Sequence, residues 1–75
     1  MQTYSVIDVK ATGRNIRRLR IAAGLTVDHL QQVFGFSTPQ AIYKWQRGDA
    51  LPTVDNLVVL AAVLQTNIDT ILVLA

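Results

Sequence analysis

Seventy-five residues make a single domain near the lower limit of what folds without staples, and with no cysteine there is neither a disulfide nor a thiolate zinc site to help. A composition that is 51% hydrophobic supplies a packed core, with apolar surface left over for a second subunit. Net charge is only +2, yet all seven cations precede Gly48 against two aspartates, whereas three aspartates and no cation follow it, which predicts one face for a polyanion and another for something else.

The start, Met1 to Ser5, has neither the cationic opening nor the apolar run of a signal peptide. Residues 1–10, with Tyr4, Val6 and Ile7, read as an extended arm. A first helix follows over about Ala11 to Ala23, with Ile16 and Leu19 inward and Gly24 as its stop. Arg14, Arg17 and Arg18 share one side of it by three- and four-residue spacing. A second helix runs over Val27 to Phe34, turning Leu30, Val33 and Phe34 inward, and Gly35 ends it. The third runs from Pro39 to Arg47 and stops at Gly48; Pro39 takes the first-turn position after a Ser37 or Thr38 cap. Beyond Pro52 a fourth helix spans Val54 to Gln65 and a fifth Ile68 to Leu74. Their inward positions are Leu57, Leu60, Ala61 and Leu64, then Ile68, Ile71 and Leu72.

Three of these starts share a spelling. Thr26-Val27-Asp28, Thr53-Val54-Asp55 and Asn67-Ile68-Asp69 each set a capping residue two places before a carboxylate that meets the positive end of the helix dipole. Capping accounts for those aspartates, so none is a catalytic candidate. His29 stands alone, with no cysteine and no second histidine, so neither a metal site nor histidine-based catalysis is expected. The apolar stretch from Leu57 to Ala75 is interrupted by Gln65-Thr66-Asn67 and Asp69, and an aspartate at mid-bilayer would cost roughly 3 kcal/mol, so two helices with a break are expected rather than a membrane span.

The link Gly35-Phe36-Ser37-Thr38 is too short for an antiparallel hairpin of this kind and makes the second and third helices a helix-turn-helix that presents the third outward. If Ile42 and Trp45 form its buried side, Gln40, Tyr43, Lys44 and Arg47 form its free side. A glutamine pairs bidentately with adenine and a lysine reaches the acceptors of guanine, so Gln40 and Lys44 are candidate base readers; Arg47, at the far end, suits a phosphate. Tyr43 is a candidate contact beside them. Thr38 and Pro39, at the helix start, are within geometric reach of a groove, although capping suffices to explain them. Arg14 and Arg17 are candidates for phosphates on the flank.

Gly24-Leu25-Thr26, Leu30, Gly35, Ile42, Lys44-Trp45, Arg47-Gly48, Leu51-Pro52, Leu57 and Leu60 together resemble the lambda-repressor-like (Cro/C1-type, XRE) helix-turn-helix domains over about residues 13 to 72. The resemblance implies an all-α, five-helix bundle with a short N-terminal arm, whose third helix enters the major groove, in a dimer on a palindromic operator. The sequence departs from the family pattern in several places. The link before Ile42 is one residue longer than the commonest spacing, and Gln31 replaces a small alanine; we read the two as one adaptation that shifts the recognition helix. Gln46 stands where a glutamate commonly pairs with the arginine matching Arg20, predicting a charge-to-amide bond worth roughly 1.5–3 kcal/mol. Val27 replaces a frequent phosphate-contacting polar residue.

The expectation is a single cytoplasmic domain, residues 1–75, with an arm over 1–10 and a helical core over 11–72. It is expected to act as a sequence-specific DNA-binding transcriptional regulator and repressor, a homodimer on double-stranded operator DNA. No enzymatic activity, cofactor, membrane or small-molecule substrate is expected. Val58, Val59, Val63, Val73 and Leu74 are more apolar positions than so small a bundle buries, and some are assigned to the dimer. The alternative is an interaction or oligomerisation adapter that keeps the fold without reading DNA.

Overall fold

Five helices succeed one another in the computed structural model, which describes residues 4–75: α1 (Val9–Ala22), α2 (Val27–Phe34), α3 (Gln40–Arg47), α4 (Val54–Val63) and α5 (Ile68–Ile71). The first three positions of the expected arm lie outside the described residues. The predicted caps of α2, α4 and α5 are made; that expected for α3 from Ser37 or Thr38 is not. The side chains of Thr26, Thr53 and Asn67 accept from the backbone amides of His29 (3.0 Å), Asn56 (3.3 Å) and Thr70 (2.9 Å). A further cap was not anticipated: Asp8 accepts from the amide of Ala11 at 2.9 Å and starts α1 at Val9, so the arm ends before residue 10.

Helices α1 to α4 stop in the same way. The second residue past the turn sends its amide back to a carbonyl five residues earlier: Leu25 to Arg20 (3.1 Å), Phe36 to Gln31 (3.1 Å), Asp49 to Lys44 (2.9 Å) and Thr66 to Ala61 (2.9 Å). The pivot needs a left-handed backbone, which glycine supplies at Gly35 and Gly48 flanking α3. After α4 the pivot is Gln65, at φ 56, a conformation that costs a side-chain-bearing residue about 1 kcal/mol. That turn ends α4 at Val63, short of the predicted Gln65.

Each helix contributes one fully buried aliphatic side chain, Ile16, Leu30, Ile42, Leu60 and Ile71 in chain order, and Trp45, Leu57, Ala61 and Leu64 complete the core. Burying such a side chain is worth about 1.5–3 kcal/mol, and five spread over five helices make the bundle cooperative. Phe34 and Phe36 stack at 5.2 Å and both meet Trp45 edge-on, at 5.3 and 5.9 Å, so the turn between α2 and α3 is packed rather than merely closed. Val33, predicted inward, is instead exposed.

The chain end differs most from expectation. Helix α5 stops at Ile71 rather than Leu74, and the tail runs back antiparallel to the arm, Ile7 opposite Leu74, with Asp8 donating to the Val73 carbonyl and Ala75 to that of Val6, both at 2.8 Å. Two side chains of α1 hold it there. The buried Thr12 hydroxyl accepts from the Val73 amide at 2.9 Å, and the Asn15 amide donates to the carbonyls of Thr70 (2.7 Å) and Ile71 (3.0 Å). Those carbonyls would otherwise have needed another helical turn to be satisfied. Among the described residues no helix is long and apolar enough to cross a membrane.

Candidate nucleic-acid interface

Helix α3 is fastened along one side. Ile42 and Trp45 are buried, three residues apart, and Ala41 and Gln46 are half-buried beside them. Its C-terminal end lies directly on α1: a Cβ placed on Gly13 would come within 2.3 Å of the Trp45 carbonyl oxygen and 2.7 Å of that of Gln46, so only a glycine permits this approach. Gly48 packs as closely on the backbone of Lys10. Arg20 adds a brace, its Nε donating to Gln46 Oε1 at 2.9 Å and its Nη1 to the Leu25 carbonyl at 2.8 Å. The predicted charge-to-amide bond is therefore present, and it commits Arg20 to holding α3 in place.

The N-terminal end is held differently. Gln31, half-buried, donates through Nε2 to the Phe36 carbonyl at 3.3 Å and so ties the end of α2 to the turn. Pro39 occupies the cap position, at φ −83 and ψ 4, and not the first turn as predicted; α3 begins at Gln40. The Pro39 carbonyl already accepts the first helical bond, from Tyr43 at 3.2 Å, but no side chain caps the helix. The nearest approach is the Thr38 hydroxyl, 3.5 Å from the Gln40 amide, at the limit of a hydrogen bond.

On the opposite side, Gln40, Tyr43, Lys44 and Arg47 are all exposed, and their spacing of three, four and seven residues aligns them in one stripe along the helix. Thr38 is exposed just before it, and Pro39 is half-buried. Arg14 and Arg17 are exposed too, but on α1, a separate element from the stripe. Arg18, grouped with them by spacing, donates to Asn15 Oδ1 through Nη2 (2.6 Å) and Nε (3.2 Å), which ties it to the residue that holds the end of α5.

One residue at this end escaped sequence reasoning. Asp49 Oδ2 accepts from Arg47 Nε at 2.9 Å, across the turn made by Gly48. That bond, above all, holds the Asp49 carboxyl below its ordinary range, against the opposing effect of desolvation and with further help from the charges of Arg47, Lys10 and Lys44. The signal was present in the acid two residues after Arg47, but only the reversal at Gly48 brings the two side chains together. Among the described residues no cluster of histidine, aspartate or glutamate is fit to hold a metal ion.

The family model described as helix-turn-helix matches residues 16–71, most of the chain and every element just described from Ile16 onward. The chain belongs to the lambda-repressor-like, or XRE, helix-turn-helix family. It is thereby a DNA-binding regulator of transcription in class. Among solved structures, the restriction-modification controller protein C.AhdI from Aeromonas hydrophila superposes with a TM-score of 0.75 at 25% sequence identity, covering 85% of this chain and 96% of that one. No curated protein matches the chain closely enough to count as a relative.

Proposed function

We propose that this helix-turn-helix protein is a sequence-specific repressor, working in the cytoplasm as a homodimer that lays α3 in the major groove of a double-stranded operator. The observation that carries the reading is the stripe Gln40, Tyr43, Lys44 and Arg47, which stands free because Ile42 and Trp45 pin the other side of the helix. In this arrangement Gln40 presents its carboxamide to an adenine edge and Lys44 its ammonium to guanine acceptors. Arg47 takes a phosphate, Tyr43 packs alongside, and Thr38 and Pro39 lie at the entry of the groove. Arg14 and Arg17 neutralise phosphates at the flank.

One eight-residue helix buries too little surface for operator-level affinity, so two copies are required. Exposed Val54, Val58 and Val59 on α4, with Leu74 on the tail, offer apolar surface for the second copy. Repression follows from occupancy, because a bound dimer excludes the transcription machinery from the site. The similarity to a protein titled a restriction-modification controller supports a regulatory role of this kind.

Selection of bound sites from a random duplex pool tests the reading, and palindromic half-sites are the expected result. Lys44→Ala is expected to change the preferred bases, and Arg47→Ala to weaken all sites about equally. The opposite pattern would reverse the roles assigned here. The same exposed apolar positions favour the second reading, an oligomerisation adapter. That reading predicts undetectable binding to duplex at both low and high salt, whereas a DNA binder weakens steeply as salt rises.

A further inference from the structure

Among the described residues, the chain has one ion pair within 4 Å, and it is made by a cation of the exposed stripe. Lys10, Arg14, Arg17 and Lys44 have no acidic partner at that distance. Arg47 does, and its partner is held in place. The Asp49 backbone amide is bonded to the Lys44 carbonyl at 2.9 Å, and the preceding Gly48 packs against Lys10. A carboxylate two residues away across a fixed turn sits at high local concentration beside the guanidinium, although both side chains remain half-exposed, at 59% and 49%. Water and ions reach the pair freely, so its bond is weak enough to exchange.

We propose that Asp49 is a built-in competitor for Arg47: it occupies the guanidinium that would otherwise take a backbone phosphate, and so sets how tightly the protein holds DNA of any sequence. The inference rests on the DNA-binding reading above and adds to it an affinity-determining residue. A phosphate approaching Arg47 must displace the Asp49 carboxylate, and it also meets that carboxylate's negative charge. A phosphate contact carries no sequence information, so its attenuation lowers affinity uniformly and leaves discrimination to Gln40 and Lys44. The same acid lies near Lys10 and Lys44, which it partly neutralises.

The test uses the full chain as wild type, Asp49→Asn, Arg47→Ala and the double variant, titrated against a fluorescent random-sequence duplex at several salt concentrations. Thermal melts check folding, and Asp49→Ser serves as a second variant should the asparagine disturb the turn. Asp49→Asn is expected to bind about 3- to 10-fold more tightly, with a salt slope steeper by about 0.9, the equivalent of one phosphate. Most of that gain is expected to vanish when Arg47 is absent, the remainder being the charge that Asp49 sets beside Lys10 and Lys44. A gain that persists undiminished without Arg47 would show general charge repulsion and overturn the competitor role. If the wild type binds and Asp49→Asn binds no better, the inference fails and the DNA-binding reading stands. Binding seen only after the substitution, and only with Arg47 present, supports the competition in its strongest form. If no variant binds duplex at any salt, both proposals fall.

Discussion

The two ends of α3 are built to different standards. At the C-terminal end the backbone of α1 lies against the last carbonyls at Gly13, Arg20 braces Gln46, Gly48 closes the turn and Asp49 holds Arg47. At the N-terminal end there is no capping side chain, only Thr38 at 3.5 Å. Position is therefore dictated from behind, through contacts that no base sequence can alter. The front, where Gln40 is presented, is placed by the aromatic packing of Phe34, Phe36 and Trp45 and by the Gln31 bond to the turn. A helix held this way keeps its reading end clear of competing bonds.

That contrast can be broken most violently at Gly13. Gly13→Ala sets a methyl group against two carbonyl oxygens that belong to backbone and have nowhere to go, and it is expected to cost about 3 kcal/mol or more in chemical denaturation. Gly24→Ala, where nothing lies within 4 Å and only the left-handed φ of +72 resists, is expected to cost about 1 kcal/mol. Equal losses at the two glycines would remove the close approach as the reason for the rigid rear end. The contrast is sharpened by comparing caps. Thr26→Ala removes a bond of 3.0 Å from the start of α2 and is expected to cost about 1 kcal/mol in thermal melts, whereas Thr38→Ala is expected to cost no more than about 0.3 kcal/mol. A loss at Thr38 as large as that at Thr26 would mean that α3 is capped in solution after all.

Much of the bundle was legible because its signals are local. Thr26, Thr53 and Asn67 announce helix starts through bonds to amides three residues on, and the glycine stops are equally short-range. The stripe of Gln40, Tyr43, Lys44 and Arg47 followed from placing two residues, Ile42 and Trp45, in the core. Much of what was missed depends on distant partners. Ile68, Ile71 and Leu72 fit a helix to Leu74 by spacing, but Asn15 satisfies the last carbonyls and the arm supplies a strand partner, neither of which spacing records. Pro39 fits a first-turn proline by rule, yet it stands one place earlier, at the cap, where its carbonyl accepts from the Tyr43 amide. Some overlooked hints were local: the Asp8 cap, Asp49 beside Arg47, and Gly13 inside an amphipathic helix, where a glycine lowers helix propensity and invites a close neighbour.

The meeting of arm and tail also orders events in time. The bond between Val73 and Thr12 spans 61 positions, so nearly the whole chain must be drawn into a ring before it can form, and the entropy of that closure is recovered only once the helices have already brought the ends together. The ribbon is accordingly a late arrival in folding and an early departure in fluctuation. Amide exchange at Asp8 and Val73 should outpace exchange at Leu60 in the core, and parity between them would mean that the ends are knitted into the same cooperative unit as the bundle.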